Sequence, residues 1–400
     1  MQRTGDLKLI QELNRSIILK TIQKYGPISR IEIARRNKIS STTVTSAVKI
    51  LIKQGLVFEE GVGKSTGGRK PILIRFASDI WFIIAVVITN KYIEIAEMSL
   101  EAIAKRQKKY NINDLEGKLF VDYLLKSINK FFKAYTDFKK CIGISIITPG
   151  TIDIKKAIII ENTKLKLRNV NLKEILEKQF KLKVWLENDA NAGVLAEKEY
   201  GAYKKFKNLI YITVGDGIGA GIMVNEQIYR GSNGGAGEFG HTSIDLNGIS
   251  CDCGNRGCLE NYISWPVIYS KILHSIAQGK STMMLKLAKG DKIQITSSIF
   301  RYALEKNDQL AIEIIVDVSK YLAIGIINLI NLINPNAIIL GGEIAHNNYF
   351  LVSKIKEIVL KQALKISTDK LKIGLNSLGE NFGIIAATSI PLHEMFNFYI

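Results

Sequence analysis

The stretch at residues 237–260, GEFGHTSIDLNGISCDCGNRGCLE, makes heavier demands on the fold than any other in the chain. It holds three of the four cysteines, Cys251, Cys253 and Cys258, within eight residues, and His241 stands ten positions before the first. Three thiolates and one imidazole complete a tetrahedral zinc shell with no position left for water, the composition of a structural site. The ion would stitch the loop at 241 to the turn at 251–258, and its binding energy would count towards folding. Gly254 and Gly257 permit the tight turn that lets Cys253 and Cys258 face one ion. The alternative is free or disulfide-linked cysteines. A Cys-x-Cys pair is too close to bridge easily, and MQRTGDLK lacks the apolar core of a secretory signal. Glu238 and Glu260 bracket the knot, so a metal that fixes the loop also fixes where two carboxylates point.

At 400 residues the chain exceeds one typical domain, and two or three are expected. An apolar fraction of 47% with six prolines describes a well-buried globular protein. No run of 18 uncharged apolar residues is present, so a cytoplasmic protein with no membrane span is expected. The net charge of +18 is uneven. Residues 1–78 carry fifteen Lys and Arg against five Asp and Glu, a net +10, which leaves +8 for the other 322 residues. That asymmetry is the electrostatic footprint of a nucleic-acid-binding head on a less charged body.

The head reads as three helices and a hairpin. Leu7, Ile10, Leu13, Ile17, Ile18 and Ile22 mark one stripe of a first helix, which YGPIS stops. Ser29 and Glu32 form a capping box for a second helix that runs to about Asn37. Ser40 or Ser41 caps a third, to about Gln54, with Val44, Ala47, Val48 and Leu51 on its inner face. Its outer face begins at Ser41 and presents Thr42, Thr45, Ser46, Lys49 and Lys53, hydroxyls followed by cations, the form of a recognition helix. LVFEEG and KPILIRF then flank the loop GKSTGGRK. Three helices and a two-stranded wing make a winged helix-turn-helix, in which Gly67-Gly68-Arg69-Lys70 suits a narrow A·T-rich minor groove.

After Ser78 buried strands alternate with helices, the pattern of an α/β body. Strands are expected at 81–88, 141–147, 209–214 and 337–340. Helices are expected at 117–135, 171–180, 189–200, 262–278, 308–333 and 347–365. Two similar halves are plausible. Asn188 and Asp189 follow a strand and open a helix, at the sheet edge where α/β ligand clefts lie. An amide beside a carboxylate can donate to and accept from sugar hydroxyls; the plainer role for Asp189 is a helix N-cap. The glycine-rich TVGDGIGAG hairpin (213–221) could approach a phosphate, or be only a tight turn.

The winged helix, the ITPG turn at 147–150, END at 187–189, GEFGH, CDCGNRGCLE and INPNAIILGGE (333–343) occur in the order of the ROK family of repressors, open reading frames and sugar kinases, which this chain resembles over nearly its whole length. With its DNA-binding head it resembles the repressor branch, most of all the xylose repressors of Gram-positive bacteria. The resemblance implies a winged head over residues 1–78 and an actin-like, ribonuclease-H-like pair of α/β domains. The smaller would take 79–187 with 384–400, and the larger 188–383. It also implies a homodimer on operator DNA and a small sugar effector, xylose or a related aldose. Asn188, Asp189, Glu238, His241 and Glu260 would line the sugar site, with His241 shared by the zinc shell.

Kinases of this family open the body with Asp-x-Gly-Gly-Thr, which holds the phosphates of ATP. Here AVVITNKYIEIA puts Val87 at the aspartate and Thr89 and Asn90 at the glycines. The second phosphate loop carries Asp216 where the kinases resemble Thr, a carboxylate that would repel ATP. Phosphoryl transfer depends on positioning and electrostatics, so a repressor that binds sugar without phosphorylating it is expected.

Overall fold

Two five-stranded sheets repeat one topology. The computed structural model describes residues 7–63, 70–135, 138–154 and 156–396. Its described residues divide into two compact units, one from 1–147, 171–186 and 387–400, the other from 148–170 and 187–386.

The first unit opens with α1 (Leu7–Tyr25), the short β1 (Ile28–Ser29), α2 (Arg30–Asn37) and α3 (Ser41–Lys53). The strands β2 (Val57–Val62) and β3 (Ile72–Phe76) follow. Ser29 caps α2 by accepting from the Glu32 N–H, as expected, but the Glu32 carboxylate turns to Arg35 and Arg36 instead of closing the box. Ser40 rather than Ser41 caps α3, accepting from the Thr43 N–H at 3.1 Å. Val44, Ala47, Val48 and Leu51 form the buried face of α3. The stripe expected on α1 is only partly right. Ile18 and Ile22 are fully buried, but Leu7, Ile10 and Ile17 are exposed, while Leu19 turns inward. Burial follows the face that meets α3. The wing also differs from the two strands expected, because β1 pairs with β3 to make a sheet of order β1-β3-β2.

The first body sheet takes β4 (Phe82–Ile88), β5 (Tyr92–Ser99) and β6 (Ala104–Asn111), then β7 (Cys141–Thr148) after α4 (Gly117–Tyr135). The strands β8 (Thr151–Asp153), β9 (Ile158–Asn162) and β10 (Leu167–Val170) form a small sheet of their own in the second unit. The chain returns through α5 (Leu172–Phe180) to β11 (Lys183–Asn188), giving the order β11-β7-β4-β5-β6. Every residue of β4 is buried, as a covered central strand requires. Cys141, the first residue of the adjacent β7, is buried too, and burial pushes its thiol up to about 12.

In the second unit α6 (Asp189–Glu199) leads to β12 (Leu209–Val214), β13 (Ile218–Val224) and β14 (Gln227–Ile228). The helices α7 (Glu260–Ile263), α8 (Trp265–Ala277), α9 (Met283–Leu287), α10 (Ser297–Glu305) and α11 (Gln309–Ile333) precede β15 (Ala337–Gly341). After α12 (Tyr349–Gln362) and α13 (Lys365–Thr368), β16 (Lys372–Leu375) completes the sheet β14-β13-β12-β15-β16. In each sheet an antiparallel meander precedes a strand added parallel on the far side of the first. No described helix is long and apolar enough to cross a membrane.

The last helix, α14 (Phe382–Phe396), starts in the second unit and ends in the first. There Ser16 of α1 donates its hydroxyl to the Phe396 carbonyl at 2.6 Å, and the rings of Phe76 and Phe396 meet edge to face at 5.7 Å. Trp81 donates its indole N–H to the Gly55 carbonyl at 2.7 Å, just beyond α3. The winged head is thus seated on its own unit at two places. Phe396→Ala should cost about 2–4 kcal/mol of local stability. Amide exchange should rise across α1 and stay unchanged in β12 and β15.

Candidate functional site

The candidate site is assembled on one strand of the second unit, β13. At its start the Ile218 N–H donates to Glu260 Oε2 at 2.8 Å, fixing the first residue of α7. Two residues on, the Ala220 N–H donates to the Gly237 carbonyl at 2.9 Å. Gly237 has a φ of 94°, and a Cβ there would overlap the Ala220 carbonyl oxygen, so only glycine lets this loop lie on the strand. The next residues are Glu238 and the short helical turn Phe239–His241. At Gly221 a Cβ would overlap the carbonyl of Ala190, so the strand admits the first turn of α6. Glu260, Glu238 with His241, and Asp189 are therefore delivered by three segments to one strand.

At the head of α6 the cap is Asn188, not Asp189. Asn188 Oδ1 accepts from the N–H groups of Ala190 at 2.9 Å and Asn191 at 3.2 Å, and its Nδ2 donates to the Gly150 carbonyl at 3.1 Å. Much of the amide is spent on holding the turn. Asp189 Oδ1 accepts from the Ala190 N–H at 2.9 Å. Burial pushes the Asp189 carboxyl up to about 6 against the pull of that N–H, and the neighbouring negative charge of Glu238 pushes it the same way. Thr151, which sequence reasoning missed, donates to Glu238 Oε1 at 3.4 Å. Nothing in the sequence around Thr151 could have marked it except its place directly after ITPG.

The four expected metal ligands come together. His241 Nδ1 lies 3.7 Å from Cys251 Sγ, and the sulfurs of Cys253 and Cys258 are 3.7 Å apart. All four donor atoms lie within 4.8 Å of one another. With Zn–S bonds of about 2.3 Å, the edge of a tetrahedral thiolate shell is about 3.8 Å, so the donors fit a single ion. The cysteines form no disulfide. Backbone bonds set the knot: Ser243 and Cys258 form an antiparallel bridge, and Leu259 N–H donates to the Thr242 carbonyl at 3.0 Å. Glu260 follows directly, so the metal loop and the carboxylate share one anchor.

On the head, Ser41, Thr42, Ser46, Lys49 and Lys53 are exposed along α3 and Thr45 is half-buried, its hydroxyl donating to the Ser41 carbonyl at 2.8 Å. Arg30 and Arg75 are paired with Glu59 and Glu60. No ion pair engages Lys49 or Lys53 among the described residues, which leaves both free for phosphate. Lys70 is exposed at the wing, whereas Gly67, Gly68 and Arg69 lie outside the described residues.

Comparison with known proteins bears on this arrangement. A model of the ROK family matches residues 86–393, and a winged helix-turn-helix DNA-binding model matches residues 13–57. The chain belongs to the ROK family. It is 32% identical to the xylose repressor of Caldicellulosiruptor bescii, over 98% of this chain and 99% of that one. It is 31% identical to the N-acetylglucosamine repressor of Escherichia coli O6:H1, over 98% and 95%. A crystal structure of a ROK family transcriptional regulator, described as a homologue of the E. coli MLC protein, superposes with a TM-score of 0.85 at 27% identity, covering 97% of this chain and 98% of that one. The expected fold, a winged helix-turn-helix followed by an actin-like pair of α/β domains, is the fold of this ROK protein.

Two outcomes follow for the ROK site. Cys258 is fully buried, and Cys258→Ser should abolish stoichiometric metal binding by elemental analysis and lower the melting temperature. Asp189 titrates near 6 in the folded chain against its ordinary value of 3.8. The folded state is therefore penalised above pH 6, binds its proton first as pH falls, and loses the penalty below about pH 4. Asp189→Asn should raise stability near pH 8 by about 1–3 kcal/mol, with the gain vanishing towards pH 4 in urea melts.

Proposed function

We propose that the protein is a dimeric, sugar-responsive transcriptional repressor whose second unit binds an aldose and whose winged head binds operator DNA. The reading is carried by one observation: carboxylates suited to sugar hydroxyls are preorganised in a chain that also carries a free-lysine recognition helix. Asp189, Glu238 and Glu260 are the acceptors we assign to the sugar, with Asn188 and His241 completing the rim. A desolvated carboxylate is a strong acceptor for a hydroxyl, since the bond forms where water competes poorly. Zinc is the ion we assign to His241, Cys251, Cys253 and Cys258, on the donor set and the spacing of the sulfurs. When bound it would cross-link the loop at 241 to the turn at 251–258, leaving the orientation of Glu238 and Glu260 to the protein's own backbone bonds.

Loss of phosphoryl transfer is supported at the two turns that follow the first strand of each sheet. In the β4–β5 turn the Thr89 hydroxyl accepts from the N–H groups of Lys91 at 3.2 Å and Tyr92 at 3.0 Å. Those are the kind of donors a phosphate would need, and here they are engaged. In the β12–β13 turn Asp216 stands between Gly215 and Gly217, and the Glu343 backbone N–H lies beside Gly215. The Asp216 carboxylate at this turn, with Glu260 Oε2 beside Gly217, favours no polyphosphate.

Each head would read one half of an inverted operator, with Ser41, Thr42, Thr45 and Ser46 towards bases, Lys49 and Lys53 towards phosphates, and Arg69 and Lys70 of the wing towards an A·T-rich minor groove. Xylose or a related aldose is the effector we assign, on the name of the Caldicellulosiruptor relative; N-acetylglucosamine is the alternative raised by the E. coli one. Sugar bound in the second unit would reach the head through α14, the helix that continues from one unit into the other.

Titration of a protein–operator complex with D-xylose should release the DNA about a hundredfold, equivalent to about 2.7 kcal/mol of coupling. Glu260→Ala should keep sugar-free operator binding and lose the response, and operator affinity should fall steeply with salt. Turnover of ATP with any aldose that depends on Asp189 would overturn the non-enzymatic reading. Failure of every single sugar to shift operator binding would favour control by a protein partner.

A further inference from the structure

One member of the triplet Glu187-Asn188-Asp189 is left aside by the proposed sugar contacts. Glu187 ends the apolar strand β11 and is 1% exposed, yet it carries a carboxylate. Its Oε2 accepts from the Arg230 guanidinium at 2.6 Å. Its Oε1 accepts from the Asn188 N–H at 3.0 Å and from Asn191 Nδ2 at 3.2 Å. Arg230 stands just beyond β14, where the loop that ends in Glu238 and His241 begins. A single ion pair therefore joins the strand end that presents Asn188 and Asp189 to the loop that presents Glu238 and His241. Between Arg230 and Gly237, where the Ala220 N–H holds the loop on β13, Ala236 N–H returns to the carbonyl of Arg230 itself, and Gly231 and Gly234 are at positive φ. The junction is not arranged for maximal bonding. Arg230 Nε and Asn191 Oδ1 are both buried with no hydrogen-bond partner among the described residues. Glu187 is buried while the Arg230 side chain is 36% exposed; such a pair contributes little net stability over an apolar replacement, and fixing one geometry is the better-attested role.

We propose that the Glu187–Arg230 pair is a positioning latch that sets the separation of Asp189 from Glu238, and hence sugar affinity, without touching the sugar. The proposal rests on the reading of this site as a carbohydrate pocket. It makes Arg230 and Glu187 positioning residues, and it predicts an effect on the sugar that stability alone does not produce.

The test uses the full chain loaded with zinc, as wild type, Arg230→Met, Arg230→Lys and Glu187→Gln. D-xylose is titrated by calorimetry, operator affinity is measured without sugar, metal content is assayed, and amide exchange is followed over 229–238 and 251–258. Arg230→Met should weaken xylose binding about tenfold to a hundredfold, the scale of loss when a binding group shifts by about an ångström. Its metal content and sugar-free operator affinity should match wild type, and Arg230→Lys should recover part of the loss. Exchange over 229–238 should rise with no sugar present, while 251–258 stays protected. Unchanged xylose affinity together with unchanged exchange would overturn the latch. Should Arg230→Met not fold, Glu187→Gln, which keeps the shape and removes the charge, decides by the same readouts. If wild type itself does not bind D-xylose, the pocket reading fails on its own; raised exchange over 229–238 would then still support the latch, and unchanged exchange would refute it.

Discussion

The site depends on how closely other backbone can approach β13. A strand ordinarily offers its neighbours side chains, and packing across them keeps main chains well apart. At Gly221 the side chain is missing on β13 itself, and at Gly237 it is missing on the loop that crosses it, so α6 and the loop come within hydrogen-bonding reach of the strand. Ile218 then contributes the N–H that aims Glu260. Because the segments that carry the three carboxylates share this reference, backbone, which has few soft degrees of freedom, places those segments on the strand. An ion held by His241, Cys251, Cys253 and Cys258 would add a second constraint on the same loop.

The two sheets share one topology while their corresponding turns differ in what they present. The turn after β4 and the turn after β12 occupy matching places, since each joins the central strand to its antiparallel partner. Glycines at such a turn leave backbone N–H groups open to an anion. Thr89 closes one turn on itself by accepting those donors, and an acidic residue stands in the other. Neither change disturbs the ladder, because hairpin pairing does not depend on what the turn offers to solvent.

Much of this was legible in the sequence. The buried strands at 82–88, 209–214 and 337–341 stand out because covered parallel strands are apolar throughout, and the long helices because their periodicity is strong. The β5–β6 hairpin was not legible: Ala104–Asn111 is rich in lysine and arginine, which suits an exposed edge strand but hides it from an apolar pattern. The stripe on α1 misled at Leu7, Ile10 and Ile17, since periodicity identifies a face without saying how far along the helix a neighbour extends.

The sequence by itself determined the metal donor set, the recognition helix and the order of the motifs, because each is a local pattern whose chemistry needs particular residue types at short spacing. The tertiary structure alone decided that Asn188 is spent on capping α6, that Thr151 reaches Glu238, and that Glu187 finds Arg230 forty-three residues away. Those are contacts between segments distant in the chain. Spacing carries no record of them, since they arise only when the strands and loops of the second unit have come together.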